Sequence, residues 1–217
     1  MVGSSRVEVQ LPAWVGGVAL LGILGVTAYV AAWAIAGALW PAYAPTEQAI
    51  SELFAIGAPQ PGRGLVIAGL LLSGVALIVF AAALDRGLPG TGMAAPVCVA
   101  LSGILTVAVV AFPCTEGCPG AGTTFTDTMH VVTAGGGYLA LLVAPLFAAW
   151  RVRHAAPRLA AWSVVLGGIA LAGFVVRNLG VADDLGGLQQ RTFNTVADLW
   201  YVVVGLWLLR RTPLWPG

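Results

Sequence analysis

The sequence predicts an all-α integral membrane protein, a single bundle of six transmembrane helices with both termini in the cytoplasm. Three observations carry this. Hydrophobic residues make up 59% of the 217-residue chain and charged residues only 9%, against about 25% charged in an ordinary soluble domain. Mean hydropathy is +0.93. Six apolar runs are each long enough to cross a hydrocarbon core about 30 Å thick, which takes a helix of roughly 20 residues, and nearly all of the ionisable residues lie between those runs or at their ends.

The runs are Ala13–Leu39, Gly64–Leu84, Met93–Phe112, Thr128–Trp150, Leu159–Val176 and Asn194–Leu209. The first far exceeds the roughly 7–15 apolar residues of a signal-peptide core and is expected to be a permanent span, despite the small residues Ala34-Ile35-Ala36 near its end. The connections Asp85–Gly92 and Arg151–Arg158 are short and read as hairpin links between antiparallel helices. So little chain is left over that the organisation is residues 1–12 as a cytoplasmic N-terminal segment, 13–211 as one six-span membrane domain and 212–217 as a C-terminal tail.

Orientation follows from arginine, which supplies all ten cations of the chain. With the N-terminus inside, Arg6, Arg86, Arg151, Arg153, Arg158, Arg210 and Arg211 are cytoplasmic, and Arg63, Arg177 and Arg191 lie outside. Short loops rich in arginine stay cytoplasmic, so a cell membrane is the expected location, the bacterial plasma membrane first. A net charge of +1 with no basic run excludes a nucleic-acid partner. Glu47, Glu52, Glu116, Asp127, Asp183, Asp184 and Asp198 gather on or near the outer face. Function is therefore expected there, where the connections are also long.

The first outer connection, Trp40 to Arg63, is broken by Pro41, Pro45, Pro59 and Pro61. Between them Thr46 can cap a short helix through Glu47–Ile56. At 100° per residue, Glu47, Gln48, Ser51 and Glu52 share one arc of about 140° and Ala49, Ile50, Leu53 and Phe54 the opposite one. Such a helix either lies in the membrane interface or folds over the mouth of the bundle with its carboxylates inward.

The second outer connection carries Cys114 and Cys118. On an extracytoplasmic face they are expected to form a small disulfide loop, with Cys98 a buried thiol. No metal site is expected, since no cluster of Cys and His completes the pair. Asp127 and His130 are three residues apart at the start of the fourth span, so on a helix the carboxylate can orient the imidazole as a general base. In the last outer connection Arg191, Asn194, Thr195 and Asp198 share a helical face at the outer end of the sixth span, with Asp198 one turn below the surface. An intramembrane carboxylate needs a partner, and Arg191 or Arg177 is the expected one for Asp198. A structural ion pair joining spans five and six fits the same spacing.

Several of these residues also fall in motifs. Tyr43-Ala44-Pro45 leading to Ile50-Ser51-Glu52-Leu53, the Gly-Ala-Pro at Gly57–Pro59, the Phe112-Pro113 closing the third span, and Gly187-Leu188-Gln189-Gln190-Arg191 with Trp200 downstream resemble the membrane family called domain of unknown function 998. The resemblance spans roughly Ala13 to Arg211 and implies the six-span fold, with no settled activity to carry over. Phe54 stands where the family pattern has a glycine, and the Cys114–Cys118 loop replaces a simpler acidic turn.

Two function classes fit. In one, Glu52, Asp127, His130 and Asp198 form a catalytic acid/base site at the outer leaflet for a lipid, isoprenoid or other membrane-dissolved molecule. Ser51, Arg177, Arg191 and Asn194 then contact the substrate, and Ser51 is the nucleophile if the reaction is hydrolysis, although no nucleophile-elbow pattern surrounds it. In the other, the same residues latch helices together in a transporter or a partner-supporting scaffold. The candidates lie near one surface by this reading, which favours a site open to one side. Membrane lipids are the expected partners, and no cofactor can be named from the sequence.

Overall fold

The computed structural model describes residues 10–213. Arg6 and most of the N-terminal segment, and residues 214–217 of the tail, lie outside the described residues. Six helices are long and apolar enough to cross a membrane: α1 Ala13–Ala38, α2 Gly62–Gly87, α3 Ala94–Ala108 continued by a 3₁₀ turn to Ala111, α4 Phe125–Val152, α5 Pro157–Asn178 and α6 Gly186–Leu209. Branched apolar residues such as Leu72, Val132, Leu139 and Ile169 are more than half exposed along these helices, a surface whose natural solvent is lipid.

Local chemistry sets the helix ends. Thr124 caps α4, its hydroxyl accepting from Asp127 N at 3.0 Å. Pro157 starts α5, where its missing N–H costs no hydrogen bond. Gly180, at φ +67°, ends α5, with Gly180 N donating to Arg177 O and Val181 N to Val176 O, the Schellman arrangement of a helix C-terminus. The largest difference from the sequence expectation is at α6, which begins at Gly186 rather than Asn194. Polar residues Gln189 to Thr192 had placed that stretch in a loop. Its first turn is instead held by another part of the chain, as described below.

Successive helices pack as antiparallel neighbours, and α6 returns to pack on α1, closing the set. Leu11 N donates to Arg211 O at 2.8 Å, so the described ends of the chain meet at one end of the bundle. We call this the terminal end and the opposite one the distal end. At the terminal end Arg151, on α4, donates to Gly92 O, Asp85 O and Leu88 O at 2.7–2.8 Å, fixing the α2–α3 turn. Its ion pair with Asp85, 3.6 Å, is the one found among the described residues. The packed core, with Trp200, Tyr201, Phe80, Leu84, Leu142 and Leu208 fully buried, fills the terminal half. A second buried cluster, including Tyr43, Ile50, Leu53, Phe54 and Val66, packs the distal end, and a cavity lies beneath it.

Candidate functional site

The distal end is closed by the chain between α1 and α2, which forms a lid. Its middle forms a 3₁₀ turn, Ile50–Phe54, rather than the expected α-helix from Glu47 to Ile56, and Thr46 caps nothing there. The apolar residues point down as expected: Ile50, Leu53 and Phe54 are buried against α1, α2 and α6. Glu52 does not turn inward. One carboxylate oxygen accepts from Ala49 N and the other from Gln48 Nε2, both at 2.8 Å, so it braces its own turn.

Arg191 ties this segment to α6. Its Nη1 donates to Pro45 O at 2.6 Å and to Gln48 O and Gly187 O at 2.9 Å, and its Nη2 donates to the Tyr43 hydroxyl. The Tyr43 hydroxyl in turn donates to Ala49 O at 2.7 Å. Burial pushes the Tyr43 phenol above its ordinary pKa, and the adjacent Arg191 guanidinium opposes this. The first N–H groups of a helix lack internal partners. Here Gly187 N and Leu188 N find them in Glu47 O and Thr46 O, 2.9 Å each, which is why the polar stretch before Asn194 is helical.

A second anchor lies at the start of α4. The Asp127 carboxylate accepts from Thr115 N at 2.7 Å, from the Thr115 hydroxyl at 2.9 and 3.1 Å and from the Thr124 hydroxyl at 2.7 Å. His130 Nδ1 is 2.8 Å from Phe112 O. A carbonyl only accepts, so Nδ1 carries the proton, and Nε2 takes no hydrogen-bond partner among the described residues. Asp127 and His130 form no hydrogen bond with each other. Both grip the segment after α3, Phe112 to Thr115, instead of forming the expected carboxylate–imidazole pair. Phe54 lies over the His130 ring, with centroids 5.6 Å apart. Cys114 and Cys118 in the following loop are joined by a disulfide with Cα atoms 5.0 Å apart, and Ile56 N donates to Cys114 O at 2.8 Å.

Beneath these anchors, helices α1, α2, α3, α4 and α6 surround a cavity of about 70 Å³. Ser51, Phe54 and His130 line it toward the distal end, and Asp198, Leu141 and Leu77 toward the centre. Asp198 is near the midpoint of α6, not one turn below a surface, because α6 starts eight residues earlier than expected. Its carboxylate accepts from Asn194 Nδ2 at 2.8 Å. Neither Arg191 nor Arg177 is its partner. Arg177 lies against Gly186, and Arg191 is taken by the loop.

Of the residues singled out from the sequence, Ser51, His130, Asn194 and Asp198 share the cavity, whereas Glu52, Asp127, Arg177 and Arg191 do not line it. Sequence reading missed Tyr29, Tyr138 and Gln190, which do line it. Gln190 joins the lid to the cavity wall, its Oε1 accepting from Ile50 N at 2.7 Å and its Nε2 donating to the Tyr138 hydroxyl at 3.2 Å. A signal was present: Gln190, Asn194 and Asp198 recur every four residues, one helical face, next to the face drawn through Arg191.

A family model described as protein of unknown function (DUF998) matches residues 23–207. The chain therefore belongs to that family, and the match covers the lid, both anchors and every residue lining the cavity. Comparison with curated proteins and with solved structures finds no match.

Proposed function

We propose that this protein is a membrane-embedded binding site, with acid/base capacity, for a lipid-like molecule whose hydrogen-bonding head enters the cavity between His130 and Asp198. One observation carries the reading: Asp198 is a buried carboxylate near mid-helix whose hydrogen-bond partner is an amide, with no cation paired to it among the described residues. A carboxylate in a membrane interior is costly unless a proton, a cation or a donor compensates it, and a ligand is the compensating group we infer. The cavity admits only a small head. Its remaining wall, including Leu70, Leu105 and Val109, suits an alkyl or isoprenoid portion. His130 Nε2 is placed to accept a proton from the bound head, Asp198 to exchange one, and Ser51, Tyr138 and Gln190 to orient it. The position of Asp198 favours a second reading, a carrier of protons or small molecules, since mid-membrane carboxylates suit alternating access.

Asp198→Asn tests both. Protein purified from membranes and extracted for untargeted mass spectrometry should carry an amphiphile that Asp198→Asn retains at least about tenfold less, while Glu47→Gln, on the exposed lid surface, retains it fully. Once both are stripped of bound amphiphile, the Asp198→Asn protein should melt no lower than the parent. Equal occupancy in the two variants would refute the site. Loss of proton flux in proteoliposomes with occupancy unchanged would favour the carrier.

We also place the terminal end in the cytoplasm of a plasma membrane. Arg86, Arg151, Arg153, Arg158, Arg210 and Arg211 lie toward that end, and Arg63, Arg177 and Arg191 toward the other. Reporter fusions after Arg211 and within Gly117–Gly122 should report opposite compartments, cytoplasmic for the first. The disulfide is a companion test, since such bonds persist on the oxidising side. Thiol alkylation before reduction should label Cys98 alone, and rapid labelling of Cys114 and Cys118 in fresh membranes would contradict this orientation.

A further inference from the structure

At the terminal end, far from the cavity, the start of α5 and the end of α6 enclose a second concavity of about 620 Å³, within the usual range for small-molecule sites. Its character is different. Arg158, Arg210 and Arg211 line it and no acidic residue does. Among the described residues, none of these three side chains makes a hydrogen bond or an ion pair. The Arg211 guanidinium instead stacks on Trp207, 4.5 Å from the ring centroid. Trp162, 57% exposed, and Leu206 complete the groove on its lipid-facing side.

We propose that this groove binds the headgroup of an anionic phospholipid. The assignment rests on complementarity of charge and of depth. Three guanidinium groups line the groove at helix ends, and each offers a planar fork of donors suited to phosphate oxygens. Trp162 and Trp207 lie one helical turn from Arg158 and Arg211, at the level where indole rings sit among glycerol and headgroup atoms. The apolar surface that continues along α5 and α6, through Trp162, Val165 and Leu206, is exposed and takes the acyl chains. A soluble anion would use the arginines but not this apolar continuation. Basic pockets between transmembrane helices are a recurrent way to hold acidic lipids.

The full-length protein in a neutral detergent tests this. Native mass spectrometry with equal amounts of dioleoyl phosphatidylglycerol and dioleoyl phosphatidylcholine should show retention of the first in at least about tenfold preference, and phosphatidylglycerol, not inorganic phosphate, should raise the thermal midpoint. The triple variant Arg158→Gln, Arg210→Gln, Arg211→Gln should lose that preference, and Arg210→Gln alone should weaken it. No preference between the two lipids on the parent protein, which needs no variant to fold, would overturn the proposal. So would a full thermal shift from inorganic phosphate alone, or an unchanged preference in a folded triple variant.

Discussion

Replacing Arg191 with alanine is expected to release the segment Tyr43–Ala55 from α6 and to lower stability by about 3 kcal/mol or more. The guanidinium donates to the Pro45, Gln48 and Gly187 carbonyls and to the Tyr43 hydroxyl. It also faces the Trp33 and Tyr43 rings, 5.5 and 5.3 Å from their centroids. Hydrogen bonds from a charged donor contribute about 1.5–3 kcal/mol each before their non-additivity, and a cation over an aromatic ring adds about 0.5–1 kcal/mol. Truncation removes them together and strands carbonyls beneath the lid. Arg191→Lys keeps the charge but not the planar fork that clamps Tyr43, Pro45 and Gln48 to α6, so it should recover less than half of the loss. Hydrogen exchange locates the effect. The amides of Ala49, Ile50, Gly187 and Leu188, bound to Glu52, Gln190, Glu47 and Thr46, should exchange faster, and those at the α2–α3 crossing should not. Unchanged protection at Gly187 and Leu188 would mean the lid is held by its apolar face alone.

That clamp also explains which features could be read from the chain and which could not. The six helices were legible because each is a long apolar run, and lipid leaves the backbone of such a run no alternative to helix. The start of α6 was not legible. Gln189 to Thr192 are polar, and they are helical because residues 46–47, distant in sequence, accept from Gly187 and Leu188. The same long-range contact moved Asp198 from an expected depth of one turn to the middle of the helix. Spacing correctly put Asp127 and His130 on neighbouring positions of one helix, but it could not show that Thr115 and Phe112, across a loop, would take their hydrogen-bonding groups. Ile50, Leu53 and Phe54 were assigned to the buried face correctly even though the segment is 3₁₀, because three- and four-residue spacings separate apolar from polar sides in either helix.

Within the glycine runs Gly135-Gly136-Gly137 and Gly167-Gly168, only some positions are packing devices. A Cβ on Gly167 would stand 2.8 Å from Pro145, and one on Gly136 3.1 Å from Leu105, whereas Gly135 and Gly168 face open space. A crossing where backbone meets backbone lies elsewhere, between Gly74 of α2 and Gly103 of α3. A Cβ on Gly103 would be 2.5 Å from Gly74 O and 2.9 Å from Ile78 N, and one on Gly74 would be 2.8 Å from Gly103 O. These obstacles are backbone, so no rotamer change relieves them. Two helices in lipid gain nothing from excluding water and depend on this close approach for their association.

Gly103→Ala is therefore expected to push α2 and α3 apart and to destabilise by about 3 kcal/mol, the upper part of the range for an overpacked core. Gly135→Ala and Gly168→Ala provide the contrast, since their added methyl groups meet nothing within 4 Å and alanine is the better helix former by about 0.5–1 kcal/mol. They should leave the thermal midpoint unchanged or raise it. The consequence of Gly103→Ala extends beyond stability. Ser102, Leu105 and Thr106 flank Gly103 and line the cavity, so a displaced α3 carries that wall away from Asp198 and His130. Gly103→Ala should then lose bound amphiphile under conditions where the protein is still folded, and Gly135→Ala should not. Matching midpoints and matching occupancy for these two variants would show that α2 and α3 do not meet at Gly74 and Gly103, and that this crossing does not set the shape of the cavity.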